Sequence, residues 1–217
     1  LVHLAGPWQA WPMFAALSRP ARRLALAIAL LALVSVAAQF HHLITIRAAP
    51  PLTTAWDMAR YFTILTNLLV AVSLVMVARP PRGRVPFVWL AALTLSMVMA
   101  GAVYHLLLSD LVTFTGIGWW ADHGLHTAGP IAIALWWLAF APKRQLALRH
   151  LPGLALWPAV YGAYALVRGA VDGAYSYPFV DLGALSPVTV AMNLAGLLCA
   201  FVLGGAVMIA IGRYADR

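Results

Sequence analysis

Two short segments concentrate the side-chain types that chemistry needs in a chain that otherwise avoids them. One is Arg60-Tyr61-Phe62-Thr63-Ile64-Leu65-Thr66-Asn67. The other is Trp119-Trp120-Ala121-Asp122-His123-Gly124-Leu125-His126-Thr127. Asp122 and His126 are four apart, as are His123 and Thr127, so on a helix each pair shares a face. Histidine is the side chain best suited to taking a proton near neutral pH. A threonine hydroxyl becomes a nucleophile when a base removes its proton as it attacks. Thr63 and His126 are a hydroxyl and an imidazole from these two segments that could meet in the bundle. Asp122 is placed to orient the ring, and His123 is equally placed to interact nearby. Plainer readings stand beside these. Thr63 can bond its own helix backbone, Asn67 can join two helices, and interfacial histidines can be satisfied by water. Spacing alone does not rank Thr63 above Thr66.

Other polar groups extend the candidate set. Asp57, Arg60, Thr63 or Ile64, and Asn67 recur at three- and four-residue steps, which predicts one shared helix face. Tyr104 and His105 fall toward the same end of their span. Tyr175, Tyr177, Pro178, Phe179 and Asp181 form a late loop, where an aromatic belt at the membrane interface is the plain expectation. An oxyanion would need donors, with Asn67, Arg60, Tyr104 and a backbone N–H as candidates in that order. His105, His123, His126 and an aspartate could form a metal site if the fold gathered them, and paired axial histidines would suit a haem. The favoured reading needs no metal and no cofactor. The chain has no glutamate, which excludes HExxH chemistry, and no GxSxG, GxGxxG or P-loop pattern. The single cysteine, Cys199, forms no intrachain disulfide.

The elements that position these residues must sit in lipid. Of 217 residues, 64% are hydrophobic and 9% charged, with a mean hydropathy of +0.88. Soluble domains are about half apolar and about a quarter charged. The hydropathy pattern predicts an all-α polytopic membrane protein, a six-transmembrane-helix bundle forming a single domain over 1–217. The spans are Arg22–Phe40, Ala59–Ala78, Pro86–Ser109, Trp120–Ala141, Leu151–Val167 and Pro187–Ile211. Pro130 and Pro158 fall inside spans and should bend them or free a carbonyl. The formal charge of +8 reads as membrane topology rather than nucleic-acid binding. Arg19, Arg22 and Arg23, then Arg79, Arg82 and Arg84, then Lys143, Arg144 and Arg149, then Arg213 and Arg217 alternate with loops that hold most of the aspartates. That alternation predicts both termini in the cytoplasm. On this topology Thr63 lies about five residues into span two and His126 about six into span four. Both would sit roughly 7–9 Å below the outer boundary at ~1.5 Å per residue. A signal peptide ending at Val36-Ala37-Ala38 is the alternative for the first span. The first dozen residues, with Trp8 and Trp11, read as an interfacial segment, and Met13 as a possible start. Arginine-rich, lysine-poor composition points to a bacterial inner membrane.

The ordered motifs Arg60-Tyr61-Phe62-Thr63, Asp122-His123-Gly124-Leu125-His126-Thr127 and Tyr177-Pro178-Phe179 resemble the androgen-induced protein family, which includes the androgen-dependent tissue-factor-pathway-inhibitor-regulating proteins. The resemblance covers most of the chain. It implies a multi-span threonine hydrolase that cleaves fatty acid esters of hydroxy fatty acids. The family's nucleophile falls on Thr63 and its histidine on His126. The chain departs from the animal pattern at Asp122, where that pattern has asparagine, and at Leu125, where it has methionine. It also carries the more polar Thr66 and Asn67 after Thr63.

Together these readings lead to an expected membrane hydrolase of a lipid ester. Its catalytic pair would be Thr63 and His126, supported by Asp122, His123, Asn67, Arg60, Tyr104 and His105. Tyr177, Phe179 and Phe62 would contact substrate. The expected partners are a lipid ester and membrane lipids. The rival classes are a metal-dependent hydrolase and a non-enzymatic lipid-binding or transport protein.

Overall fold

A computed structural model of the chain describes residues 17–79 and 85–214. Trp8, Trp11 and Met13, and the basic residues Arg82, Arg84 and Arg217, lie outside the described residues. Among the described residues the fold is all-helical, without strands. The elements are α1 (Arg19–Arg47), α2 (Pro51–Met58), α3 (Phe62–Ala78), α4 (Phe87–Val103), α5 (Ile117–His123), α6 (Gly129–Phe140), α7 (Leu151–Asp172) and α8 (Pro187–Tyr214). α4 runs on through a π turn, Tyr104–Leu108. A second π turn, Gly124–Ala128, joins α5 to α6.

Among the described residues, four helical stretches are long and apolar enough to cross a membrane: Arg19–Arg47, Phe87–Leu111, Leu148–Asp172 and Pro187–Tyr214. The bent pair α2 and α3 makes a fifth if it counts as one span. Ile117–Phe140 is also continuously helical, but Asp122, His123, His126 and Pro130 dilute its apolar character.

Packing follows the logic of a lipid solvent, where small residues let helices approach and large apolar ones face outward. On α1, Ala21, Ala25, Ala29 and Ala32 recur at helical spacing and are buried, while Leu24, Leu26, Leu30 and Leu33 are exposed. α1 packs on α3, α5 and α6. The main core joins it to Val70 and Leu74 of α3, Leu90, Leu93 and Met97 of α4, and Ile133 and Trp137 of α6.

The expected single face Asp57–Arg60–Thr63–Asn67 does not form. The chain turns through 92° between α2 and α3, with Tyr61 extended at the corner. Thr63 therefore lies in the first turn of α3 rather than a turn and a half inside a longer helix. The cause is tertiary. Carbonyls that a continuous helix would have used internally are captured by donors from α7 and the following loop. Tyr164 Oη donates to Ala59 O (2.9 Å), while Tyr161 Oη (2.6 Å) and Ser176 Oγ (2.7 Å) donate to Arg60 O. Arg168, expected beyond the end of its span, is instead inside α7 and buried. It donates to the carbonyl of Trp56 and to Asp172, and its guanidinium lies 4.1 Å from the Trp56 ring centroid.

Candidate active site

Thr63 is buried, 7% exposed, at the second position of α3. A helix leaves its first amides without carbonyl partners. The Tyr61 amide is used by Met58 O (3.1 Å), and the Phe62 amide donates to Tyr177 Oη (3.0 Å). The amides of Thr63 and Ile64 are the two that the helix geometry leaves over. They sit at the positive end of the α3 dipole. Asn67, one turn on, donates through Nδ2 to Thr63 O (2.8 Å) and so ties down the residue that bears the hydroxyl.

His126 sits in the second π turn. Pro130 has no N–H to give to the carbonyl four residues earlier, which is that of His126. The turn widens, and Gly129 N–H instead bonds Gly124 O, five residues back. Two glycines make room for this turn. A Cβ on Gly101 would lie 2.8 Å from His126 O, and one on Gly124 would lie 2.1 Å from Ser35 Oγ of α1.

The imidazole is held on two sides. Its Nδ1 is 2.9 Å from Asp122 Oδ1 and 3.2 Å from the Asp122 carbonyl. A backbone carbonyl can only accept, so Nδ1 carries a proton, and in the neutral ring Nε2 is then the nitrogen with the lone pair. Nε2 has no hydrogen-bond partner among the described residues. Asp122 is 6% exposed, and its Oδ2 accepts a 2.7 Å bond from Tyr104 Oη. The Tyr104 ring stacks on the imidazole with centroids 3.8 Å apart. The result is an ordered Tyr–Asp–His chain that ends in a proton acceptor.

Thr63, Tyr104, Asp122 and His126 all line one cavity of about 770 Å³, within the range of roughly 300–1,000 Å³ typical of small-molecule sites. Its walls are mostly apolar. One group of lining residues comes from the last turns of α1 and the turns that follow α4, including Leu43, Ile46 and Leu111. The other comes from α7 and α8, including Ala159, Gly162, Leu194 and Leu198. Phe62, Tyr177 and Phe179, the expected substrate contacts, line it as well. The Tyr177 and Phe179 rings stack at 5.2 Å.

Several expected supporting residues lie elsewhere. Arg60 is 3.3 Å from each of Asp57 and Asp172 and does not line the cavity. Asn67 is fully buried behind Thr63, its amide nitrogen already committed. Tyr104 spends its hydroxyl on Asp122. Of the oxyanion candidates, this leaves the backbone amides. His105 is exposed and faces Thr127 Oγ1 (3.0 Å). His123 stacks on Trp119 and faces that residue's carbonyl (3.0 Å). The three imidazoles thus point to three different partners. Among the described residues no group of three His, Cys, Asp or Glu side chains comes together as metal ligands.

Among the lining residues that were not singled out from sequence, Tyr161 and Arg47 bear on the site. Tyr161 supports the corner beneath Thr63. Arg47 is a cation at the end of α1, 3.6 Å from Asp57. Comparison with protein families, curated proteins and solved structures finds no match.

Proposed function

We propose that this chain is an integral membrane hydrolase of a lipid ester, with Thr63 as nucleophile and His126 as general base. The observation that carries the reading is the Asp122–His126 pair, whose open Nε2 belongs to the same apolar cavity as a buried threonine at a helix start.

In the proposed cycle the Thr63 hydroxyl oxygen attacks the ester carbonyl carbon, and its proton passes to His126 Nε2. The tetrahedral oxyanion is met by the amides of Thr63 and Ile64. The bond to the alcohol oxygen breaks, and His126 returns the proton to that oxygen as the alcohol leaves. Water then attacks the acyl-threonine and gives a proton to His126. The acid departs, and Thr63 recovers its hydrogen from His126. Asp122 and Tyr104 fix the tautomer and the plane of the ring throughout. The motif resemblance to the androgen-induced protein family supports the same two residues and suggests an ester of a hydroxy fatty acid.

The proposed setting is a six-span bundle in a bacterial inner membrane, with both termini in the cytoplasm. Ile117–Phe140 would be the span that its catalytic polar residues make least apolar. Two contacts support a common end for the termini. Trp136 Nε1 donates to Ala21 O near the start of α1 (2.9 Å). Gly212 near the end of α8 lies against Lys143, where a Cβ would be 2.7 Å from the Lys143 carbonyl oxygen.

The test is covalent labelling with a fluorophosphonate in detergent, read by intact mass and peptide mapping. Wild type should carry one adduct, on Thr63. Thr63→Ala and His126→Ala should carry none while keeping their helical circular dichroism. Unlabelled wild type, or an adduct that survives Thr63→Ala, would exclude the mechanism.

A further inference from the structure

We infer that a gap between the middle of α7 and the middle of α8 is a side window, through which the hydrocarbon chain of a bilayer lipid enters the cavity without crossing water. The inference rests on the proposed membrane setting and not on the hydrolase chemistry.

The two helices run antiparallel and part along their length. Near the start of α7 they touch closely. A Cβ on Gly205 of α8 would stand 3.0 Å from Leu151 Cδ2 and 3.1 Å from Leu154 Cδ1. Further along α7, Gly162 faces Leu194 across a wider space. A Cβ there would have one neighbour within 4 Å among the described residues, Leu194 Cδ2 at 3.8 Å. Beyond that level the structure closes again, because Asn193 Nδ2 donates to Phe179 O (2.8 Å) and ties α8 to the late loop. The gap is therefore bounded on both sides, by Leu154 and Gly205 at one level and by Asn193 and Phe179 at the other.

Small side chains ordinarily bring membrane helices into contact. Here Ala159, Gly162 and Ala163 of α7 and Ala195 of α8 line the cavity instead. Two of them also belong to the outside of the bundle. Ala163 continues the exposed stripe of Leu156, Val160 and Val167, and Ala195 lies between the exposed Met192 and Cys199 at helical spacing. None of those neighbours lines the cavity. The two alanines thus stand where the outer surface and the cavity wall meet. Both helices are long and apolar enough to span, so that outer surface faces hydrocarbon.

Polarity separates this opening from the rest of the cavity. On α7 and α8 the one polar lining side chain among the described residues is Tyr161, and its hydroxyl is spent on Arg60 O (2.6 Å). Gln39, Arg47, Tyr61, Asp122 and His126 line the other parts. Each methylene that passes from lipid through water costs hydrophobic free energy, and a chain that slides between α7 and α8 avoids that cost. The polar end near α1 suits water, and the window suits the chain.

Labelling of a cysteine inside the cavity tests this without turnover. Ala100 is buried on α4 and lines the cavity, so Ala100→Cys in a Cys199→Ala background is the reporter, held in nanodiscs. The reagent is a maleimide on a long alkyl chain, which resides in the bilayer. Ala163→Trp fills the window and should slow labelling roughly tenfold or more, the scale of overfilling a close-fitting space. Leu198→Ala trims the rim and should speed it, with thermal unfolding still that of the parent, an outcome that a damaged fold does not give. Val112→Trp, at the other end of the cavity, should leave the rate unchanged. Slowing by Val112→Trp as great as that by Ala163→Trp, equal rates in every variant, or no labelling of the parent overturns the proposal. Absence of a fluorophosphonate adduct on Thr63 would sink the hydrolase reading and leave these rates to decide the window.

Discussion

Tyr104 lies flat on His126, with ring planes 11° apart, and its hydroxyl donates to the carboxylate that faces the same imidazole. One side chain thus fixes both the plane of the ring and the group that orients it. Each partner sits in its own π turn, and Gly101 lets α4 approach the second turn closely. In the proposed mechanism Tyr104 is a positioning residue, and its two roles separate by substitution. Tyr104→Phe keeps the stack and loses the bond to Asp122. It should lower kcat about tenfold with KM unchanged, in line with one hydrogen bond to a charged group. Tyr104→Leu loses both and should fall further. A change confined to KM would place Tyr104 in substrate contact instead.

Asp122 can act by charge or by geometry. Asparagine at this position can still accept from His126 Nδ1–H through its oxygen, and its amide can donate to Tyr104 Oη. The family that the motifs resemble carries asparagine there. Asp122→Asn should therefore stay within about tenfold of wild-type kcat, whereas Asp122→Ala should lose roughly 100-fold or more through a disordered base. Equal losses in the two variants would show that the negative charge itself is needed.

What was legible in the sequence divides along local and distant causes. The membrane character follows from composition, because apolar surface on this scale has no other solvent. The Asp122–His126 contact spans one helical turn, so spacing alone could bring it forward. The corner at Tyr61 could not be read the same way. Asp57 to Asn67 has good helical periodicity, and the donors that break it, Tyr161, Tyr164, Arg168 and Ser176, come about 100 residues later. His105 and Tyr104 are adjacent in sequence and part company because α4 turns one inward and the other to the surface. Pro130 was expected to free a carbonyl. Its consequence, a π turn that carries His126, depended on two glycines meeting α1 and α4.

The α7–α8 side of the cavity should measure acyl chain length. Gly162 faces Leu194 across it, where a Cβ would stand 3.8 Å from Leu194 Cδ2, so a small side chain fits and a large one fills the space. Gly162→Phe should reduce kcat/KM for long acyl chains by roughly tenfold or more, the scale of a few excluded methylenes, and leave short chains near wild type. A series of neutral esters of increasing length checks this. A uniform loss across the series would show general damage rather than a shortened arm.

Tyr177 links the late loop to the start of α3, and its ionisation gives that link a pH signature. Its hydroxyl accepts from the Phe62 amide, with Tyr161 and Thr63 as further neighbours. Tyr177→Phe leaves that amide unpaired and should destabilise the fold by about 1–3 kcal/mol, with reduced activity because Thr63 follows Phe62 directly. Burial pushes the Tyr177 phenol well above its ordinary value. The unfolded chain releases this proton near pH ~10, while the folded chain keeps it. Above that pH the unfolded state binds fewer protons, so the stabilising contribution is complete below pH ~10 and declines as pH rises toward the folded value. The stability gap between wild type and Tyr177→Phe should therefore narrow between about pH 9 and pH 11. Thermal unfolding of both proteins across that window decides the matter. A gap that stays constant would mean that the hydroxyl is not buried against α3.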